Sequence, residues 1–157
     1  MAIESYPLAP PWQVSQWFNT PQPLSLEILR GKIVVLHTFQ MLCPGCVSHG
    51  LPQAKMVYQH FDGQGVEVVG LHTVFEHHDA MTPVSLEAFI HEYSLNFPIG
   101  VDMPASNSPV PSTMQAYGLR GTPSLVVIDR EGRIRMDAFG RVDDLALGAQ
   151  LGQLLAE

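Results

Sequence analysis

An apolar run, Ile33-Val34-Val35-Leu36, gives way within a few residues to Cys43-Pro44-Gly45-Cys46, where a helix-like pattern begins. That junction constrains the chain more than any other feature, because a strand covered on both faces that feeds a helix is half of a parallel α/β unit. Residues 33–39 read as a central strand. Residues 43–61 read as a helix with Val47, Leu51, Ala54, Val57, Tyr58 and Phe61 on its apolar face and a kink predicted at Pro52. Asp62-Gly63-Gln64-Gly65 stops this helix, and 66–73 repeats the buried-strand pattern. A second helix opens with Thr82 as cap and Pro83 in the first helical position, and carries Leu86, Phe89, Ile90 and Tyr93 at helical spacing. Strand, helix, strand, helix implies parallel pairing through right-handed crossovers.

The flanks read differently. Residues 1–23 are rich in proline, with Trp12, Trp17 and Phe18 among them, and form an extended arm with one short edge strand. Apolar residues at 24, 26, 28 and 29 give a short helical turn ended by Gly31-Lys32. Residues 97–101 are a short strand, 102–111 a surface loop by composition, and 112–117 a short helix closed by Gly118. An apolar strand at 124–128 turns through Asp129-Arg130-Glu131-Gly132 into an antiparallel partner at 133–139. The last helix, 143–155, carries a stripe of Leu147, Leu151, Leu154 and Leu155, and its Gly148 and Gly152 are expected to let it lie close on a sheet. No repeat is visible, so a single domain is expected over 1–157.

Composition narrows the function classes. The net charge of −7 comes without a Lys/Arg cluster, which argues against nucleic acid or an anionic membrane as partner. With 46% apolar and 15% charged residues and no apolar stretch of membrane-spanning length, a soluble protein is expected. The segment Met1 to Pro7 lacks a basic and an apolar region, so no signal peptide is visible and a cytoplasmic location is expected. In a reducing compartment a cysteine pair is more often catalytic than structural.

The order within the motif has chemical consequences. With Cys43 as N-cap, Pro44 takes the first helical position, where a missing N–H costs nothing, and the Cys43 sulfur can accept from the N–H of Gly45 or Cys46. Helix N-terminal amides favour thiolate over thiol, so Cys43 is the candidate nucleophile. Cys46, one turn in, suits the resolving role, and Gly45 leaves room for a partner's backbone. A closed zinc site would have to recruit histidines, His49 first, because the chain has 2 cysteines. The isolated pair fits redox chemistry better. No metal and no cofactor is expected.

Taken together, a strand, Cys-x-x-Cys opening a helix, a strand, a helix, and Gly121-Thr122-Pro123 leading into a hairpin and last helix resemble the thioredoxin-like plan. The resemblance covers nearly the whole chain. Leu29-Arg30-Gly31-Lys32 and Ile128-Asp129-Arg130-Glu131-Gly132-Arg133-Ile134 resemble the corresponding segments of the TlpA-like thiol-disulfide oxidoreductases of redoxin type. This implies an α/β/α fold with a central mixed sheet and an N-terminal extension, and an enzyme exchanging disulfides, as a reductase, through Cys43 and Cys46. It also implies that Thr122-Pro123 is a cis-proline turn facing the pair. Thr122 and Pro123, with Pro44 and Gly45, would then contact an extended substrate segment. The implied partners are a protein or small-molecule disulfide and an external dithiol or thioredoxin-type electron donor.

Departures from the family pattern raise further candidates. Met41-Leu42 stands where many relatives have an aromatic residue before the first cysteine. His37 stands where thioredoxins carry a buried carboxylate, and His49 where TlpA-like proteins often carry a glutamate. Either imidazole is a candidate to move the Cys46 proton, since its ordinary pKa of about 6.5 lies near neutrality. The alternative is a satisfied strand histidine at 37 and a solvated one at 49. His72, His77 and His78 read as solvated loop histidines, with metal binding the alternative. Peroxiredoxins share the fold but place Thr or Ser three residues before their reactive cysteine, where this chain has Gln40. Copper carriers of this fold space their cysteines one residue wider. A redox-inert interaction module is the remaining class.

Overall fold

A computed structural model describes residues 5–157, so expectations resting on residues 1–4, the start of the arm among them, lie outside the described residues. Its strands are β1 (Val14–Phe18), β2 (Ile33–Phe39), β3 (Val66–His72), β4 (Ile99–Asp102), β5 (Ser124–Ile128) and β6 (Ile134–Phe139). They form one sheet in the order β1-β4-β3-β2-β5-β6. β2 pairs in parallel with β3, and β3 with β4, while β1, β5 and β6 join antiparallel, so the sheet is mixed. The helices are α1 (Leu51–His60), α2 (Pro83–Glu92), α3 (Ser112–Tyr117) and α4 (Asp144–Ala156). Among the described residues no helix is long and apolar enough to cross a membrane.

Every residue of β2 is buried, because both faces of the strand are covered. The two-residue period sends Ile33, Val35 and Phe39 to one face and Val34 and Leu36 to the other. The first set packs with Leu51 and Ala54 of α1, Leu86 of α2 and Leu147 and Leu151 of α4. The second set packs with Val69, Val126 and Ile128, under Trp12, Trp17 and Tyr117. The arm therefore supplies much of the third layer. It runs from the β5–β6 hairpin, where Ala9 N–H donates to Gly132 O at 2.9 Å and Ile134 N–H to Pro7 O at 2.8 Å, across to β1 beside β4.

The structure departs from the sequence reading at three places. The break predicted at Pro52 takes the form of a π-helical turn, Cys46–Gly50, ahead of α1, in which Leu51 N–H reaches back to Cys46 O. Proline has no N–H to continue an ordinary ladder, so the wider turn absorbs the register change. Asp102, assigned to a surface loop, is instead the buried last residue of β4. Its carboxylate accepts from the amides of Thr113 and Met114 at 2.8 and 3.0 Å and from the Thr73 hydroxyl at 2.9 Å. Gly148 and Gly152 do not let α4 approach the sheet closely, since no heavy atom lies within 4 Å of the position a Cβ would take on either. Helix α4 docks through Leu147, Leu151 and Leu154 instead.

Candidate active site

Strand β2 ends at Phe39, and the chain turns at once, with Cys43 N–H donating to Gln40 O at 3.1 Å. Cys43 is half-buried and Cys46 fully buried, and both are free thiols. The Cys46 N–H donates to Cys43 Sγ at 3.3 Å, the capping contact the spacing predicts. On the other side Cys43 Sγ donates to Thr122 O at 3.5 Å, and the Thr122-Pro123 peptide is cis. Pro44 and Gly45 are exposed at the rim, and a Cβ on Gly45 would lie 3.4 Å from Pro123 Cδ, so rim and proline turn face each other. The Cys46 thiol is pushed well up from its ordinary value, first by burial and then by its hydrogen bond with Cys43. The Gln40 backbone and the Thr122 side chain hydrogen-bond it in the opposite sense. One sulfur is reachable and the other waits one turn behind it.

The histidines are not where simple exposure would put them. His37 is 1% exposed, and neither ring nitrogen has a hydrogen-bond partner, so it is not a satisfied strand histidine. Burial, with the charge of His49 second, drives its pKa from 6.5 down to about 4. Its ring lies against Gly50, where a Cβ would come 2.5 Å from His37 Cε1 and 3.3 Å from Pro123 Cβ. His49 is half-buried rather than solvated, with Nε2 2.9 Å from Val142 O, which places the proton of the neutral ring on Nε2. Gln53 Nε2 donates to the same carbonyl at 2.8 Å. Among the described residues neither imidazole hydrogen-bonds a sulfur.

His72 also corrects the sequence reading. It is buried at the end of β3, and Nε2 accepts from Met41 N–H at 3.2 Å; burial brings its pKa down to about 4. His77 and His78 are exposed, as expected, and His78 Nε2 lies 3.0 Å from Pro109 O. Among the described residues no cluster of three or more His, Cys, Asp or Glu could hold a metal ion.

Two residues around the pair escaped the sequence reading. Gln40 is 2% exposed, and its side chain donates to Thr122 Oγ1 at 3.3 Å and accepts from Phe75 N–H at 3.2 Å. A primary amide directly after a wholly buried strand is the signal, since such a group is buried only when its hydrogen bonds are met. Gly50 marks the approach of the His37 ring. A glycine inside a helical segment costs stability and so points to a close neighbour.

The profile of the AhpC/TSA family matches residues 8–136. The crystal structure of a thioredoxin-like superfamily protein superposes with a TM-score of 0.93 at 55% identity, covering 96% of this chain and 97% of that one. That of a thiol-disulfide isomerase from Corynebacterium glutamicum gives a TM-score of 0.93 at 52% identity, covering 99% of each chain. Thiol-disulfide oxidoreductase ResA of Halalkalibacterium halodurans is 28% identical over 114 residues, 72% of this chain and 57% of its own. The chain thus spans little more than half of ResA, and less of the other curated relatives it matches.

Proposed function

The chain belongs to the AhpC/TSA family and has the thioredoxin-like α/β fold, and from that premise we propose that it is a thiol-disulfide oxidoreductase working through Cys43 and Cys46 as a reductase. The observation that carries this reading is the asymmetry of the pair. The reachable Cys43 sulfur receives the Cys46 amide at 3.3 Å, while Cys46 is buried behind it. Sulfur exchange needs an attacking thiolate and a second thiol that acts only afterwards.

The cycle follows from that arrangement. Cys43 thiolate attacks a substrate disulfide and expels one substrate sulfur as thiolate, leaving a mixed disulfide. Cys46 then gives up its proton and attacks Cys43 Sγ, closing the Cys43–Cys46 disulfide and releasing the second substrate thiolate. Two electrons have passed to the substrate, and an external dithiol returns them. Of the two imidazoles behind the pair, buried His37 has both nitrogens unpartnered but resists taking a proton, because burial holds its pKa near 4, so half-buried His49 is the better candidate to receive the Cys46 proton. The rim of Pro44, Gly45, Thr122 and Pro123 suits an extended disulfide-bearing segment, from a protein or a small molecule. We place the reaction in the cytoplasm. A peroxidase role gains nothing from Gln40, whose amide is engaged by Thr122 and Phe75.

Reduction of a protein disulfide in the presence of dithiothreitol tests the reading. Cys43→Ser is expected to abolish turnover, and Cys46→Ser to accumulate mixed disulfides that a reductant dissolves. Full activity of Cys43→Ser would overturn it.

A further inference from the structure

Gln40 bridges two sides of the candidate site. Its carbonyl oxygen accepts from Phe75 N–H at 3.2 Å, in the segment after β3, and its amide donates to Thr122 Oγ1 at 3.3 Å, in the cis-proline turn. Its own backbone oxygen holds Cys43 N–H at 3.1 Å. With 2% exposure it has no freedom to swing into solvent. A hydroxyl has one proton, and an oxygen already accepting from an amide keeps that proton for another partner. The Phe75 bond fixes the amide so that its NH₂ side faces Thr122. The Thr122 backbone carbonyl is meanwhile taken by Cys43 Sγ at 3.5 Å, so the whole residue is set against the cysteine pair.

We propose that Gln40 is a positioning residue, holding the Thr122 hydroxyl with its proton turned to Cys46 Sγ so that the resolving sulfur is supported as it becomes an anion. This rests on Cys43 and Cys46 acting as nucleophile and resolving thiol. In this arrangement the Thr122 side chain bears on the Cys46 thiol in the sense that favours the thiolate, against the burial that opposes it. The chemistry served is the second half of the exchange. Cys46 loses a proton, attacks Cys43 Sγ, and the substrate sulfur leaves as thiolate. Support at Cys46 bears on that step and not on the first attack by Cys43.

An aromatic disulfide with a coloured thiolate leaving group separates the steps, because each protein releases one coloured thiolate on attack by Cys43 and a second on resolution by Cys46. The ratio of the second rate to the first is the readout. Loss of the hydroxyl's support lowers the thiolate fraction at Cys46, partly offset by greater intrinsic nucleophilicity, so the expected net fall is about three- to tenfold. Gln40→Met, which keeps the length and loses the polar ends, is expected to lower the ratio by that factor, and Gln40→Ala to do the same. Thr122→Val is expected to lower it similarly and Thr122→Ser to retain it. In the Thr122→Val background, Gln40→Met is expected to cause no further loss, because the hydroxyl it orients is gone. An unchanged ratio in both Gln40 variants, or an equal loss with and without the hydroxyl, would overturn the proposal. Absence of the first coloured release in the unsubstituted protein would instead overturn the assignment of Cys43, and the proposal with it.

Discussion

Acid should find the two buried imidazoles before any other part of this protein. His37 and His72 are each 1% exposed and each held near pKa 4 by burial, against 6.5 for a free imidazole. Since the folded value lies below the unfolded one, the unfolded chain binds the extra proton. Stability is therefore intact above about pH 6.5 and is lost as pH falls through the window down to about 4. Integrating that uptake gives a loss of about 2 kcal/mol per histidine at pH 5 and about 3 kcal/mol below pH 4. Asp102 acts in the opposite sense: burial raises its carboxyl above the free value, so the folded state keeps its proton longer and gains as pH falls. Comparing the protein with His37→Leu cancels Asp102 and His72, which both chains share. The variant also removes two unsatisfied buried nitrogens, so it is expected to match or exceed the parent at pH 8. Urea unfolding at pH 8, 6.5 and 5 is the assay. The variant's advantage should widen by about 2 kcal/mol between pH 8 and 5, roughly 1 M in the urea midpoint for an ordinary m-value. Parallel curves for the two proteins across that range would refute the reasoning.

Other substitutions reach different contacts. Gly50→Ala places a methyl 2.5 Å from His37 Cε1, and is expected to cost about 1 to 3 kcal/mol by thermal unfolding, largely recovered when His37→Ala is added. Asp102→Ala strands two amides and a hydroxyl and should destabilise by about 3 kcal/mol or more, measured by urea midpoint. His72→Leu leaves the Met41 amide without its acceptor at the turn before Cys43. A loss of about 1 to 3 kcal/mol is expected, again by urea midpoint.

Much of the architecture was legible because its signals are local. The unbroken apolar run of β2, the Thr82-Pro83 start of α2 and the left-handed Gly118 that closes α3 each act within a few residues, and each element lies where its pattern places it. The cis bond at Pro123 followed from family likeness alone. What could not be read is tertiary. Nothing near Asp102 in sequence announces that three donors converge on it, and composition therefore assigned it to the loop. The same applies to His37, whose ring meets Gly50 and Phe39, and to His72, which meets Phe39 and the Met41 amide, contacts that only the folded chain assembles. Gly148 and Gly152 show the converse error, in which a helical spacing was given a packing meaning although that side of α4 faces no neighbour.

The arm links distant times in the life of the chain as well as distant places in the sheet. Its contacts through Trp12, Pro10 and Tyr6 span 105, 107 and 127 residues of sequence, so a segment made before the sheet cannot fully settle until partners more than a hundred residues later exist. Until the hairpin has been translated, the start of the arm lacks the Gly132, Arg133 and Ile134 backbone and side-chain partners that hold it, although β1 already has β4 to pair with. Docking of the start of the arm is then a late step, and that border of the nascent chain stays exposed to unwanted partners until it happens.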